Sequence, residues 1–556
     1  MSKPVDSSQH YDYIIVGAGS AGCVLANRLS ADAACRVLLL EAGGVNRSVF
    51  IRMPAALSIP IHRRAYNWGY VSEPEADLDG RRVGCPRGRG LGGSSAINGM
   101  VYVRGHGCDF DGWCDTGAVG WGYADVLPYF RRAERCLDAA PGDAYRGRSG
   151  LLATRNGEQR NPLYRTFLEA CEQAGYALSA DLNGHRQEGF GALPMTVADG
   201  ERCSAARAYL QPVRDRANLT VTTRALVERV SVEGGCGRKV VWRKGRRWYV
   251  SQAGCEVVVC AGAIDSPCIL QRSGIGPERL LREHRIPVEA PLPVGENLMD
   301  HLEIYLQQAC APEVSLNRSL NVLNRGWIGA RWLMTRDGLG ATNHFEVGGF
   351  IRSAAGIQWP NIQFHFLPAA MSYDGRRVAP VPGYQVHIGP MLPASRGSVC
   401  ISSDEAGAAP RIRFNYLAEK EDRLIFRQSV KLAREILAQP ALARYNRGEL
   451  QPGAEISSDD AIDAFIRASA ESAYHPCGTC RMGVNEYSVV DVEGRVHGIE
   501  GLRVADASLF PVITNGNLNA PTIMLAEKIA GAMTGDVLAP DPKPVFVDGQ
   551  WRTRQR

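Results

Sequence analysis

An apolar run, Tyr13-Ile14-Ile15-Val16, leads directly into Gly17-Ala18-Gly19-Ser20-Ala21-Gly22, and a second run, Arg36-Val37-Leu38-Leu39-Leu40, ends on Glu41. Few arrangements satisfy this pattern. The two runs read as neighbouring buried parallel strands, and the residues from Ala21 to about Leu29 as the helix between them. In such a unit each glycine has its own task. Gly17 permits a tight turn after the strand, Gly19 lets backbone N–H groups approach a pyrophosphate, and Gly22 lets the helix pack close to the sheet. The helix N-terminus at Ser20 and Ala21 offers partial positive charge to phosphates. Glu41 falls where an acidic side chain holds a ribose diol. A glycine-rich loop between structural elements accounts for the glycines but leaves Glu41 without a reason. The stretch predicts a Rossmann-like dinucleotide site in an α/β chain.

The motif alone does not separate FAD from NAD; its distribution along the chain does. Near the far end, Gly501-Leu502-Arg503-Val504-Ala505-Asp506-Ala507-Ser508 reads as a short strand ending in an acid and small residues. Asn515-Gly516-Asn517-Leu518-Asn519-Ala520-Pro521-Thr522 then opens a helix, Ile523 to about Met533, whose start is a second anion or dipole site. A sheet begun at residue 13 and completed near residue 505 holds a large insertion, as FAD enzymes often do.

Between these ends lie two long motifs: Gly88-Arg89-Gly90-Leu91-Gly92-Gly93-Ser94-Ser95-Ala96-Ile97-Asn98-Gly99-Met100-Val101-Tyr102-Val103-Arg104-Gly105 and Gly262-Ala263-Ile264-Asp265-Ser266-Pro267-Cys268-Ile269-Leu270-Gln271-Arg272-Ser273-Gly274-Ile275-Gly276. They resemble the two signatures of the glucose-methanol-choline (GMC) oxidoreductase family. Val294-Gly295-Glu296-Asn297-Leu298-Met299-Asp300-His301 and Tyr474-His475-Pro476 also match its habits. The resemblance runs from about Tyr11 to about Met533 and is nearest the bacterial choline dehydrogenase and alcohol dehydrogenase branch. It implies a discontinuous FAD-binding domain (9–155, 205–305 and 470–537) and a substrate domain with an antiparallel sheet (156–204 and 306–469), α+β overall. Residues 1–8 and 538–556 are expected as tails.

Composition agrees. With 556 residues the chain exceeds one ordinary domain, and 45% hydrophobic and 22% charged residues are ordinary for a globular protein. A net charge of +5 is small, and pairs such as Arg63-Arg64 and Arg246-Arg247 read as solvated faces without the aromatic interleaving of a nucleic-acid surface. No apolar stretch approaches the roughly 18 residues of a membrane span. The first twelve residues carry no apolar core of a secretory signal. The chain is expected in the cytoplasm, compatible with peripheral contact to the inner membrane. Its 16 cysteines are scattered and read as reduced thiols. Cys477-Gly478-Thr479-Cys480 is a single CxxC without the second ligand pair of a zinc site, so no metal is expected. The middle of the chain mixes helices, Asn161 to Ala174 and Glu421 to Ala438, with runs at 361–366 and 384–388 that alternate like half-buried strands.

Oxidising an alcohol means removing a proton from oxygen and a hydride from carbon. A flavin takes the hydride, and the protein supplies the base. Imidazole has a suitable intrinsic pKa. Among 11 histidines the resemblance singles out His475, the general acid/base of the family's His-Pro motif. It places Asn517 as the second member of the catalytic pair, a neutral amide able to donate and accept but not titrate. Asn515, Asn517 and Asn519 also suit helix caps and loop bends. For the cofactor, the resemblance carries over Ser20, Ala21 and Glu41 to the ADP half. Gly93, Asn98 and Val101 are placed beside the pyrophosphate and isoalloxazine, Val227 near the adenine, and Asp506 and Ala507 along the ribityl-pyrophosphate. Asn519 is expected to orient backbone near the flavin. Some relatives attach FAD through a histidine in the first signature. Ile97 stands at that position here, so non-covalent FAD is expected.

The expected activity is FAD-dependent oxidation of a primary alcohol to an aldehyde, with a quinone, carrier protein or oxygen as electron acceptor. The alternatives are choline dehydrogenation specifically, a hydroxynitrile-lyase-like reaction without net redox, a non-catalytic flavoprotein and, more weakly, a nicotinamide reductase. Choline would need aromatic faces and a carboxylate. Trp68, Tyr70, Phe345 and Glu346 are candidates that sequence does not bring together.

Overall fold

Uninterrupted apolar strands recur in two parts of the chain, and they build two sheets. The computed structural model describes residues 5–6, 10–373 and 375–556. The first sheet runs Leu219–Thr223, Val37–Glu41, Tyr11–Val16, Arg247–Val259, Cys236–Lys244, Leu226–Glu233, with Val5–Asp6 and Leu502–Val504 also paired to the long strand. Its parallel part joins 219–223, 37–41, 11–16, the end of 247–259 and 502–504. Val257, Val258 and Val259 are fully buried there, as parallel strands covered on both faces must be. Past an irregularity between Ala253 and Glu256, the first half of the long strand pairs antiparallel in a three-strand meander. The expected strand–helix–strand is present: Tyr11–Val16, the Ser20–Leu29 helix, then Val37–Glu41 in register from Tyr13 opposite Val37.

The last helix, Asn519–Thr534, closes this layer against the Ser20–Leu29 helix. Between them Glu527, wholly buried, accepts hydrogen bonds from Arg28 (2.9 and 2.7 Å) and Tyr209 (2.8 Å), with Arg132 at 3.2 Å. A buried carboxylate without such partners would be expelled. The pairing therefore clasps two ends of the chain that lie 499 residues apart in sequence.

The second sheet is antiparallel, in the order Asn446–Gln451, Leu302–Cys310, Gly383–Pro390, Ile362–Leu367, Val347–Ile351, Gly189–Ala192, with Glu471–Ser472 also on 302–310. Its strand 302–310 starts inside the 205–305 stretch expected in the other domain, and 471–472 lies beyond 469, so the sheet draws on more of the chain than that division allows. Strands 362–367 and 383–390 are buried along their whole length rather than half-buried. One face meets the Pro162–Gln173 and Lys420–Leu437 helices, and the other carries His365 and His387 toward a cavity.

The C-terminal stretch is not a free tail. Residues 538–556 run along the body: Phe546 N–H donates to His185 O at 2.8 Å, and buried Arg352 holds both Asp548 and the Arg554 carbonyl. Of the expected N-terminal tail, 1–4 and 7–8 lie outside the described residues, and Val5–Asp6 pair with Tyr249–Val250. The cysteines are all free thiols, with Cys477 and Cys480 buried in the first core. Among the described residues, no helix is long and apolar enough to cross a membrane.

Candidate active site

The two sheets share one cavity of about 950 Å³, at the upper end of the roughly 300–1,000 Å³ typical of cofactor and ligand sites. The glycine motif forms one end, and its three glycines differ as their roles require. A side chain on Gly17 (φ +102°) would strike the Cys260 carbonyl, and one on Gly22 would strike the Gly17 carbonyl. Gly22 is thus a packing residue and lies off the cavity wall. A side chain on Gly19 would meet only one atom, at 3.9 Å, so this glycine presents bare backbone to open space. Gly93 approaches Gly19 so closely that a side chain there would lie 2.7 Å from its Cα.

Glu41, at the end of its strand, accepts from the N–H groups of Ala18 (2.9 Å), Gly43 (2.7 Å) and Gly90 (2.8 Å). Burial pushes its pKa up and these donors pull it back. A carboxylate has about four acceptor sites, so one stays open toward the cavity. Asp506 accepts from Gly262 N–H (2.8 Å), Ser266 Oγ (2.6 Å) and Ser508 N–H (2.8 Å), which ties a strand end to the start of the Gly262–Arg272 helix. Ser20 Oγ donates to Asn519 Oδ1 at 2.8 Å, joining the starts of the first and last helices. Open backbone at Gly19, the remaining site on Glu41 and three helix starts along one cavity fit an extended dinucleotide such as FAD. The residues carried over to it (Gly17, Gly19, Ser20, Ala21, Glu41, Gly93, Asn98, Val101, Val227, Asp506, Ala507 and Asn519) all line that cavity, as does Ile97.

His475 and Asn517 meet at another part of the wall, with Nε2 of His475 3.1 Å from Asn517 Nδ2. His475 follows Tyr474, whose φ of 67° is in the left-handed region. Such a residue costs about 1–3 kcal/mol and persists only when it is held. Ser472 Oγ accepts from Tyr474 N–H (2.8 Å), Arg87 donates to the Tyr474 carbonyl (2.6 Å), and Asp300 accepts from His475 N–H (2.7 Å). Asn517 directly follows two residues that are pinned in place. Asn515 is buried and clipped by Asp109 and Pro360, and Gly516 approaches Val103 too closely for any side chain.

The tautomers follow from hydrogen-bond partners. Met391 O can only accept, so His301 Nε2, 2.9 Å away, carries the hydrogen. In the neutral ring His301 Nδ1 is then an acceptor, and His475 Nδ1–H donates to it at 3.0 Å. His475 Nε2 keeps its lone pair and accepts from Asn517 Nδ2. The Asn517 amide is oriented by Gln363, which donates to its Oδ1 at 3.2 Å. Burial drives both rings toward the neutral form: His301 is pushed down to about 4 and His475 well below its ordinary value, with His301 and Arg87 adding to the latter.

The sequence did not point to the contact of His301 with His475, although the Asp300-His301 pair closes a motif singled out above. Nor did it point to Glu303, two residues further and on the same side of extended backbone. Glu303 lies on the cavity wall, where Tyr373 donates to it at 2.6 Å. Gln385 is fixed because its oxygen accepts from Gln307 and Met371 (2.9 Å each); its amide nitrogen therefore donates to His387 Nε2 (2.7 Å), leaving His387 Nδ1–H to face Glu303 at 3.4 Å. Burial would raise the Glu303 pKa, but these hydrogen bonds and His365 outweigh it and hold the group below its ordinary value. Phe345, Tyr373, Tyr474 and Trp68 line the same cavity. Tyr70 and Glu346 do not: Tyr70 donates to Asp265, and Glu346 accepts from Gln159 and Thr342.

Family models described as GMC oxidoreductase match residues 11–303 and 393–526. The chain is similar to a protein named oxygen-dependent choline dehydrogenase from Photobacterium profundum, 51% identical over 552 residues, 98% of this chain and 97% of that protein. A protein of the same name from Vibrio vulnificus is 50% identical over 554 residues, 99% of each chain. Among solved structures, pyridoxine 4-oxidase from Mesorbium loti superposes with a TM-score of 0.86 at 34% identity, covering 95% of this chain and 99% of that one. The chain belongs to the GMC oxidoreductase family. It is an FAD-dependent enzyme that oxidises CH–OH donors.

Proposed function

We propose that this enzyme oxidises a primary alcohol carrying a quaternary ammonium group, choline by preference, to the aldehyde. The single observation that carries this reading is the sharing of one cavity by the His475–Asn517 pair and the Glu303 carboxylate. FAD, when bound, supplies the hydride acceptor. The chain's own residues do the rest. His475 Nε2, its lone pair held free by the His301 relay, takes the hydroxyl proton. Asn517 Nδ2 donates to oxygen as negative charge develops there, a role worth about 10²–10³ in rate in comparable oxyanion sites. Glu303 supplies the charge opposite a quaternary ammonium, and the faces of Phe345, Tyr373 and Tyr474 suit its methyl groups. The names of the relatives point to the same substrate.

Glu41, the Gly17–Ala21 turn, Asp506 and Asn519 are proposed to hold FAD without a covalent bond, since Ile97 offers no nucleophile. The proposed FAD-binding domain centres on the first sheet and the proposed substrate domain on the second, although strands 302–310 and 471–472 of the second sheet cross the expected boundaries. The test is a panel of alcohols screened in parallel with a dye acceptor and with oxygen, on wild type and Glu303→Gln. Choline is expected to be preferred, and Glu303→Gln to raise KM for choline by about tenfold or more, the loss of one cation interaction of roughly 1–2 kcal/mol, while leaving uncharged alcohols nearly unaffected. Equal effects on charged and neutral alcohols would sink the assignment. Flavin that stays with the protein after acid precipitation would overturn non-covalent binding.

A further inference from the structure

Arg202, at the end of the short Glu201–Arg202 strand, is a buried cation without a counter-ion; the residue is 2% exposed. Its Nε donates to the Ile51 carbonyl (2.9 Å). Its Nη1 donates to Asn98 at both the backbone O (2.7 Å) and Oδ1 (2.8 Å), with Ser95 O at 3.4 Å. All of these partners are neutral. Nη2 is enclosed and has no hydrogen-bond partner among the described residues. Other enclosed guanidinium groups are paired: Arg104 and Arg146 share Glu134, Arg352 holds Glu188 and Asp548, and Arg503 holds Glu256. Glu201, next to Arg202 in sequence, is taken by Arg52, Arg207 and Arg336. Burial pulls the Arg202 pKa down to about 9, so the group is still charged at neutral pH. A buried charge is costly unless it is paired. One that the polypeptide leaves uncompensated calls for a bound anion.

Its position says which anion. Asn98 Oδ1 accepts from Arg202 and from Met100 N–H (3.1 Å), and both can only donate. The amide is thereby fixed with its oxygen toward Arg202. Asn98 and Ile97 line the cavity. The guanidinium therefore stands one residue behind the wall beside which, in the seating expected above, the isoalloxazine rests. Alcohol oxidation changes the charge there. The hydride leaving the carbon brings two electrons and one proton to the flavin, the hydroxyl proton goes to His475, and the ring gains one negative charge. A fixed positive charge nearby in a dry site favours that product.

We propose that Arg202 is the counter-charge for the reduced flavin, acting from behind Asn98, which it also holds in place. The inference rests on the seating of FAD in this cavity with Asn98 beside it. Arg202 touches no reacting atom and is a positioning residue, with an electrostatic effect on the cofactor.

The experiment is the midpoint potential of the bound flavin, titrated anaerobically against a reference dye, together with the dissociation constant for FAD. Both are measured on wild type, Arg202→Gln, Arg202→Lys and Asn98→Ala. Arg202→Gln is expected to shift the two-electron equilibrium about tenfold or more toward oxidised flavin, a fall of about 30 mV or more. Arg202→Lys keeps the charge but not the planar fork that reaches Ile51 and Asn98. It is expected to hold the wild-type potential while binding FAD several-fold more weakly. An arginine that only braces the fold would give both variants the same loss. The lysine variant decides by itself if the neutral one does not fold: a tenfold shift toward oxidised flavin with lysine overturns the proposal, as does an unchanged potential in Arg202→Gln. Asn98→Ala tests the seating separately and is expected to weaken FAD binding several-fold. Affinity and potential both unchanged there would remove the seating, and the proposal with it. A change there without a shift of potential in Arg202→Gln overturns the proposal alone.

Discussion

His301→Ala tests the relay most directly, because it alters neither the proposed base itself nor a residue of the cavity wall. In the wild type the chain of partners runs from the Met391 carbonyl through His301 to Nδ1–H of His475, at 2.9 and 3.0 Å, and leaves His475 Nε2 bare. Removing the imidazole strands His475 Nδ1–H in a buried site, at a cost of about 1–3 kcal/mol against the tautomer that can act as a base. At about 1.4 kcal/mol per tenfold, the reactive population falls by roughly five- to 150-fold. Flavin reduction at saturating substrate should slow by that factor, with FAD content unchanged. Anaerobic stopped-flow spectrophotometry measures the rate, and the flavin absorbance measures occupancy. His301→Gln, whose side-chain oxygen can accept the same hydrogen, is expected to recover part of the loss, which simple disruption of packing would not allow. A His301→Ala enzyme that reduces its flavin at the wild-type rate refutes the tautomer argument.

The other expectations are more compact. His475→Ala should keep its FAD and lose about 10²–10⁴ in flavin reduction; an unchanged rate at neutral pH removes His475 from the mechanism. The working form of His475 is neutral and its pKa is held well below the ordinary histidine value, so activity should persist as pH falls through 6.5 and decline only below it. Asn517→Ala deletes the N–H that favours the bare Nε2. It should slow reduction by about 10²–10³ and move the acidic limb of the rate profile upward in pH; a limb that disappears would transfer the proton step away from His475. Glu527→Ala leaves Arg28 and Arg132 facing a buried gap. Breaking a buried pair in this way costs about 3–5 kcal/mol, discounted here because the arginines are 22% and 19% exposed, so a clear drop in melting temperature is expected, and none would make the clasp incidental.

The glycine-rich half of the candidate site was legible because its pattern is local. Turn, helix start and acid all fall between Gly17 and Glu41, where strand and helix periods fix their positions. His475 and Asn517 were legible through resemblance alone, since nothing in their own neighbourhoods shows that they face each other. His301, Glu303 and His387 were hidden for a different reason. Their roles come from pairing between strands 302–310 and 383–390, distant in sequence, and from the side of each strand that meets the cavity. Glu346 illustrates the limit: it neighbours Phe345 in sequence, yet its carboxylate accepts from Gln159 and Thr342 while Phe345 meets the cavity. The C-terminal stretch misled because proline and arginine read as solvent-loving, whereas Arg352 uses the Asp548 side chain and the Arg554 carbonyl to satisfy a guanidinium that is otherwise fully enclosed.

The clasp between Arg28 and Glu527 also sets a timetable. Synthesis proceeds at about 5–20 residues per second, so the 499 residues that separate the two take on the order of 25–100 s to emerge. Throughout that interval the first strand–helix–strand exists without the helix that covers it, and the cavity lacks the part of its wall that Asp506, Asn517 and Asn519 form. Under the proposed assignment of these residues, cofactor capture is a late event in the life of each molecule. A ribosome-bound chain truncated before residue 500 lacks that part of the cavity wall and is expected to retain no FAD.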